Sequence, residues 1–213
     1  MRFYALRTQT LTSAHLFLAC RAADLFVCRD AHGLPFAHFS DFEGDERANQ
    51  AMRPMASQTK AHLSWRFRQW YQSKRLLAAI AAPPLREIGE QMQVAPRLSD
   101  DEPRLFTLYS CHDITILGLL YGIGASFLAD ERGNEWRYWP PYAASLIFEL
   151  VLTDDGDYVV RVLLDGRPVL SVDFDDQKRP PLGRGVDQLM RIDDFMKVVE
   201  NLEEAGGHCA TLQ

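Results

Sequence analysis

The sequence predicts an α/β fold in which a mostly helical part, residues 1–103, precedes an α/β portion, residues 104–213. Three observations carry that expectation. Apolar residues recur at helical spacing up to Pro83 and Pro84. From about Arg104 the pattern changes to strand, helix, strand, strand. The turn-forming runs Asp154–Asp157 and Asp165–Gly166 then separate apolar stretches short enough to be strands.

Residues 11–28 place Leu11, Ala14, Leu18 and Leu25 at roughly helical spacing, with Thr12 and Ser13 as candidate caps. Residues 29–53 read as loop, because Gly33, Pro35 and Gly44 interrupt a charged stretch. A long helix is expected from about Met55 to Ala82. Leu63, Phe67, Trp70, Lys74 and Leu77 share its stripe, and Pro83–Pro84 ends it. A shorter helix is expected over Leu85–Gln91, before a turn at Pro96.

The second portion opens with a buried-type strand, Leu105–Tyr109, a polar turn at Ser110–Asp113, and an apolar helix over 114–121. Ser145–Leu152 and Tyr158–Leu164 form a hairpin or meander that continues through Asp165 and Gly166 to Pro168–Leu170. A closing helix spans about Ile192–Ala205. It carries Phe195, Val198, Val199 and Leu202 on one face, with Gly206 and Gly207 as its stop. Trp65, Phe67 and Trp70 suit helix packing, whereas Trp136, Tyr138, Trp139 and Tyr142 suit a sheet edge or a pocket wall.

Bulk properties exclude several functions. The chain has 213 residues and a net charge of −6, with acidic clusters at Asp41–Glu46, Asp100–Glu102, Asp154–Asp157 and Asp173–Asp176. The densest basic stretch, Trp65–Trp70, holds only Arg66 and Arg68, so nucleic acid is not an expected partner. No run approaches the ~18 apolar residues of a membrane span, and Leu16–Cys20 is too short for a signal core. Four cysteines in a chain this long do not make a disulfide scaffold. Cys20 and Cys28 either pair or lie free. Cys28, His32 and His38 match no usual zinc-ligand spacing, so no metal and no cofactor are expected.

The candidate site is the pair His112–Asp113, between the carboxyl end of the expected strand and the amino end of the following helix. Open α/β sheets bind ligands there, and the free N–H groups of a helix start favour an anion. An imidazole and a carboxyl at that point suit phosphoryl transfer. Asp113 also has a purely structural reading as the cap of helix 114–121.

Three segments carry a family resemblance. Tyr109–Leu120, with Cys111, His112, Asp113 and Thr115 leading an apolar helix, resembles the His-Asp signature of the histidine acid phosphatases. Cys28–Pro35 resembles that family's Ala-His-Gly-Leu-Pro segment, and Trp139–Ser145 running into Phe148, Glu149 and Leu150 resembles its Pro-Pro-Tyr-Ala segment. The order is the family's.

The resemblance implies hydrolysis of phosphate monoesters through a phosphohistidine, on a phosphorylated small molecule. The fold it implies is an incomplete mixed α/β phosphatase sheet with flanking helices, residues 1–103 supplying a helical insertion or cap. His112 corresponds to the histidine that binds phosphate and stabilises the transition state, and Asp113 to the proton donor. Thr115 supports the turn. Imidazole is a good nucleophile near neutral pH, and guanidinium matches phosphate oxygens bidentately.

One departure matters. The family's nucleophile lies in an Arg-His-Gly-x-Arg signature on its first strand, and Arg-His-Gly occurs nowhere in this sequence. Two readings follow: a truncated, inactive phosphatase chain, or a non-catalytic module that binds or regulates. An accidental likeness is a third. Without a first strand, Leu105–Tyr109 would expose an unpaired apolar edge open to self-association.

Overall fold

The computed structural model describes residues 13–36, 45–97, 106–125, 128, 138–169 and 189–207. They form a mixed α/β fold: helices flank a four-stranded antiparallel sheet. The chain divides into two compact units, Met1–Arg66 and Phe67–Gln213.

In the first unit, helix α1 spans Ser13–Ala31. It runs to Ala31, three residues into the expected loop, and closes at Gly33. Gly33 takes a φ of 62°, the Leu34 N–H reaches the Arg29 carbonyl at 2.8 Å, and the Gly33 N–H reaches the Asp30 carbonyl at 3.1 Å. This paired closure satisfies carbonyls the helix would otherwise strand, and it needs a residue without a Cβ penalty. The buried face differs from the expected one: Ala23 and Phe26 are buried, while Leu25 is half exposed. Phe26 packs edge-on against Phe36 at 5.2 Å. Cys28 is a free, exposed thiol. Cys20 and His38 lie outside the residues whose side chains are described.

Helix α2 spans Asp45–Tyr71, so residues 45–53 are helical rather than loop. Glu46, Arg47, Ala48, Gln50, Ala51 and Met52 all rank high in helix propensity, which outweighs their polarity. Ala56, Leu63 and Ser64 are buried. Lys60 pairs with Asp30 at 2.9 Å across a largely solvated gap.

The long helix expected over 55–82 is two helices. Its boundary is Ser73, an extended N-cap whose Oγ accepts the Leu76 N–H at 3.4 Å. Serine offers the backbone an oxygen just where a new helix needs one. Helix α3 then runs from Lys74 to Val94 straight through Pro83 and Pro84, and it absorbs the separate helix expected at 85–91. Each proline lacks an N–H, so the carbonyls four residues back, on Ala79 and Ile80, lose their helical donors. Tertiary packing offsets that loss. Ala78, Ala81, Ala82, Leu85 and Gly89 are buried beneath other elements of the second unit.

Those elements are α4, Asp113–Gly122, and α5, Ile192–Gly206. A Cβ on Gly122 would lie 2.8 Å from the Ala81 Cβ, and one on Gly206 would lie 2.6 Å from the Ala78 Cβ. Glycine is what lets both helices approach α3 so closely. Arg86 forks onto both carboxylate oxygens of Glu203, fixing the far end of α5. Phe195, Val198, Val199 and Leu202 are all buried, as their spacing predicts. The helix runs through Gly206 and stops at Gly207, where φ turns positive.

Strands β1, Leu146–Leu152, and β2, Tyr158–Leu164, form the expected hairpin. Its register pairs Glu149 with Arg161, whose side chains also meet at 2.7 Å. Asp165 and Gly166 both take positive φ, 49° and 74°. That is the two-residue turn whose twist suits antiparallel strands, and it leads to β3, Arg167–Pro168. A strand with no sequence signal, β4, Leu189–Arg191, pairs further along the same side of β2. The Phe148 ring meets the Phe195 ring at 6.0 Å, so α5 covers this sheet.

The strand expected at Leu105–Tyr109 is not observed in its described part. Residues 106–110 belong to no helix or strand, and Phe106 and Leu108 are 87% and 81% exposed. Alternating apolar residues supply strand propensity, but a strand exists only when a neighbour takes its backbone hydrogen bonds. Among the described residues, none does.

Candidate functional site

The candidate site lies in the second unit, at the start of α4. Its lead-in is held from one side. Thr107 Oγ1 donates to Gln91 Oε1 at 2.8 Å, and Tyr109 OH donates to Glu87 Oε1 at 2.9 Å. Both acceptors stand on α3. Burial, followed by the hydrogen bond and charge of Glu87, pushes the Tyr109 hydroxyl's pKa up. The intervening residues, Phe106, Leu108 and Ser110, are exposed.

His112, rather than Asp113, is the N-cap of α4. It is extended, with φ −96° and ψ 161°, and its side chain makes no capping bond. Its carbonyl instead accepts the N–H groups of Thr115 at 2.9 Å and Ile116 at 3.3 Å. The imidazole is exposed and makes no hydrogen bond or ion pair among the described residues. Cys111 beside it is a free, exposed thiol.

Asp113 is the first residue of the helix, and both its oxygens are engaged. Oδ1 accepts the Ile114 N–H at 2.8 Å, and Oδ2 accepts the indole Nε1–H of Trp139 at 3.0 Å. The expected bond to a free backbone N–H is therefore present, one position further into the helix than a cap would make it. A carboxylate in the first turn of a helix also meets the positive end of the helix dipole.

Two aromatic residues complete the arrangement. Phe67, in the last turn of α2, packs on the Trp139 ring at 5.3 Å. Tyr71, one turn on, donates its hydroxyl to the Ile114 carbonyl at 3.0 Å and stacks obliquely on Tyr121 at 5.2 Å. The Tyr71 hydroxyl is pushed up to about 12, first by burial, then by Tyr121 and by the charge of Asp113. Tyr138, next to Trp139, is likewise pushed up to about 12 by burial and by Asp165.

The structure brings Asp113 and Trp139 together across 26 residues of sequence. Trp139 and Tyr71 are the residues that sequence reasoning missed. Each bond joins groups on different elements, so no periodicity announces them. The nearest sequence signal is the segment Trp139–Ser145 itself, whose family resemblance and whose aromatic residues, suited to a sheet edge or a pocket wall, name no partner for the indole. Four of the described arginines of the second unit serve elsewhere. Arg86 binds Glu203, Arg161 binds Glu149, Arg191 binds Asp157, and Arg68 donates to the Leu128 carbonyl.

Chemically, the helix start presents one unengaged imidazole beside one fully engaged carboxylate. Of the first-turn N–H groups, Ile114's goes to Asp113 and Thr115's to the His112 carbonyl. Among the described residues no group of three or more His, Cys, Asp or Glu side chains is placed to hold a metal ion, and no helix is long and apolar enough to cross a membrane.

No family model and no curated protein matches the sequence.

Proposed function

We propose that this chain is built on the phosphate-monoesterase plan of the histidine acid phosphatases, with His112 as the phosphate-binding histidine and Asp113 as the proton-transfer carboxyl. One observation carries the reading. Two of the three segments on which the resemblance rests, the His-Asp helix start and the Trp139–Ser145 segment, meet through the bond from Trp139 to Asp113.

These residues alone do not complete a hydrolytic site, because the sequence contains no Arg-His-Gly nucleophile segment. The exposed imidazole beside a carboxylate with both oxygens engaged suits phosphate binding without turnover by this chain, which the truncated and the non-catalytic readings both expect. Inorganic phosphate titrated into the protein should shift the His112 ring resonances, and His112→Ala should abolish the response. A ring that does not respond removes the proposal. No p-nitrophenyl phosphate should be turned over at acid pH. His112-dependent turnover would mean that another residue supplies the nucleophile.

The partner we propose beyond a phosphorylated small molecule is a second copy of the chain. Phe106 and Leu108 stand exposed on a segment whose backbone groups have no described partner, and an uncharged, strand-favouring segment of that kind invites edge pairing. Leu108→Lys should lower the weight-average mass in sedimentation; an unchanged, monomeric profile in both proteins contradicts it.

A further inference from the structure

His112 and Asp113 are neighbours in sequence and opposite in charge capacity, yet no ion pair joins them among the described residues. The reason stands on the other side of the carboxylate. Oδ1 is turned back onto the Ile114 N–H and Oδ2 onto the Trp139 indole. The indole is itself braced. Phe67 packs on its ring at 5.3 Å, and the adjoining Pro140 is fully buried. The helix turn that carries Asp113 is fixed independently by Tyr71 on the Ile114 carbonyl. Donor and acceptor are thus each held by separate contacts, and the bond between them is not a flexible surface contact.

We infer that Trp139 is a positioning residue that restrains the Asp113 carboxylate and so keeps the His112 imidazole available to an anion. This rests on the phosphate-binding reading of His112. An indole N–H can only donate, so it holds a carboxylate without offering a competing acceptor to the imidazole or to an incoming phosphate. Once released, the carboxylate has only the Ile114 N–H to hold it. It becomes the nearest available counter-ion for His112, and it repels any anion that approaches the same ring. Trp139 touches neither the phosphate nor the imidazole in this account; it acts through Asp113.

A double-mutant cycle separates this role from simple support of the fold. Trp139→Phe keeps an aromatic ring beside Phe67 and removes the N–H together with the rest of the pyrrole ring, a packing loss common to both backgrounds of the cycle. The probe is inorganic phosphate, followed by the His112 ring resonances. Trp139→Phe should weaken phosphate binding by about tenfold, the scale of one charge-assisted hydrogen bond. In an Asp113→Asn background, where no negative charge remains to be restrained, the same change should alter binding by less than twofold. Equal weakening in both backgrounds, or none in the first, overturns the inference.

A second measurement stands apart from phosphate. In a 15N-labelled protein the Trp139 indole N–H should be protected from exchange, keep that protection in Asp113→Asn, and lose it in Asp113→Ala. An indole resonance indifferent to Asp113→Ala overturns the inference even if phosphate binds. If His112 does not respond to phosphate while the indole behaves as described, the phosphate reading fails and the availability of His112 to anions fails with it.

Discussion

Helices α4 and α5 begin alike and are held differently. Each has an extended N-cap residue whose side chain makes no capping bond, His112 in one and Arg191 in the other. Each puts an aspartate in its first turn, where the helix dipole favours negative charge. From there they part. The start of α5 is anchored by an apolar side chain, Phe195, which is wholly buried. Among its polar contacts are the half-exposed pair of Arg191 with Asp157 and the bond from the mostly exposed Lys197 to Asp194. The start of α4 is anchored by polar groups from distant elements, the Trp139 indole on Asp113 and the Tyr71 hydroxyl on the Ile114 carbonyl. An apolar anchor holds an element without directing any particular group. A set of directed hydrogen bonds fixes one carboxyl in one orientation, which a binding site needs and a packing contact does not.

The sharpest break in this comparison is Phe195→Ala. It should lower the unfolding free energy by about 3–5 kcal/mol, the cost of emptying a buried aromatic site, read from the urea midpoint. Asp113→Ala should cost less, about 2–3 kcal/mol, because the Trp139 and Ile114 donors lose a charged acceptor. Asp113→Asn should recover part of that, since one amide oxygen still accepts. If Asp113→Ala proves neutral in the same measurement, the polar anchoring of α4 contributes nothing.

Tyr71→Phe tests the second polar anchor and carries a pH signature. Its hydroxyl sits at about 12 in the folded protein, above the ordinary tyrosine value of 10.0. The folded state therefore holds the proton more tightly than the unfolded state does. The stability this contributes is complete below about pH 10 and is lost as pH climbs from there through about 12. Tyr71→Phe should cost about 1 kcal/mol at neutral pH for the lost bond, and it should flatten the alkaline fall of the melting temperature. Tyr138 loses stability in the same window, so the flattening should be partial. An unchanged alkaline slope would assign that window to other groups.

The smallest effect is expected at Lys197→Ala. The lysine is mostly exposed, and for its pair with Asp194 a change within about 0.5 kcal/mol is the rule. A loss as large as that of Asp113→Ala would erase the difference between the two helix starts.

Legibility followed the range of the interaction. The α1 stop was readable to within three residues, because Gly33 closes a hydrogen-bond pattern confined to residues 29–34. The β1–β2 hairpin was readable because its turns lie between its strands, with Gly156 at φ 85° and the Asp165–Gly166 turn doing local work. The buried face of α5 follows from spacing alone. The candidate pair His112–Asp113 was likewise visible as a dipeptide at a helix start, and the helix is there. What holds the pair was not visible, because Trp139 and Tyr71 reach it from other elements.

The errors have two causes, distant packing or pairing and local propensity. Proline is a reliable stop only where nothing else holds the helix, and α3 passes Pro83 and Pro84 because its alanines and Gly89 are buried by neighbouring elements. Polarity suggested loop over residues 45–53, where helix propensity prevailed. Alternation suggested a strand at Leu105–Tyr109, where no described strand stands beside it.

By itself, then, the sequence determined the features that a few consecutive residues can satisfy: helix α4 and its acidic start, the hairpin, and the apolar stripe of α5. Tertiary structure alone decided whether α3 survives its prolines, whether Phe106–Ser110 becomes a strand, and which donor holds Asp113. Backbone conformation and turn chemistry are fixed by neighbours along the chain, whereas burial, strand pairing and the reach of an indole N–H depend on which distant residue arrives in space.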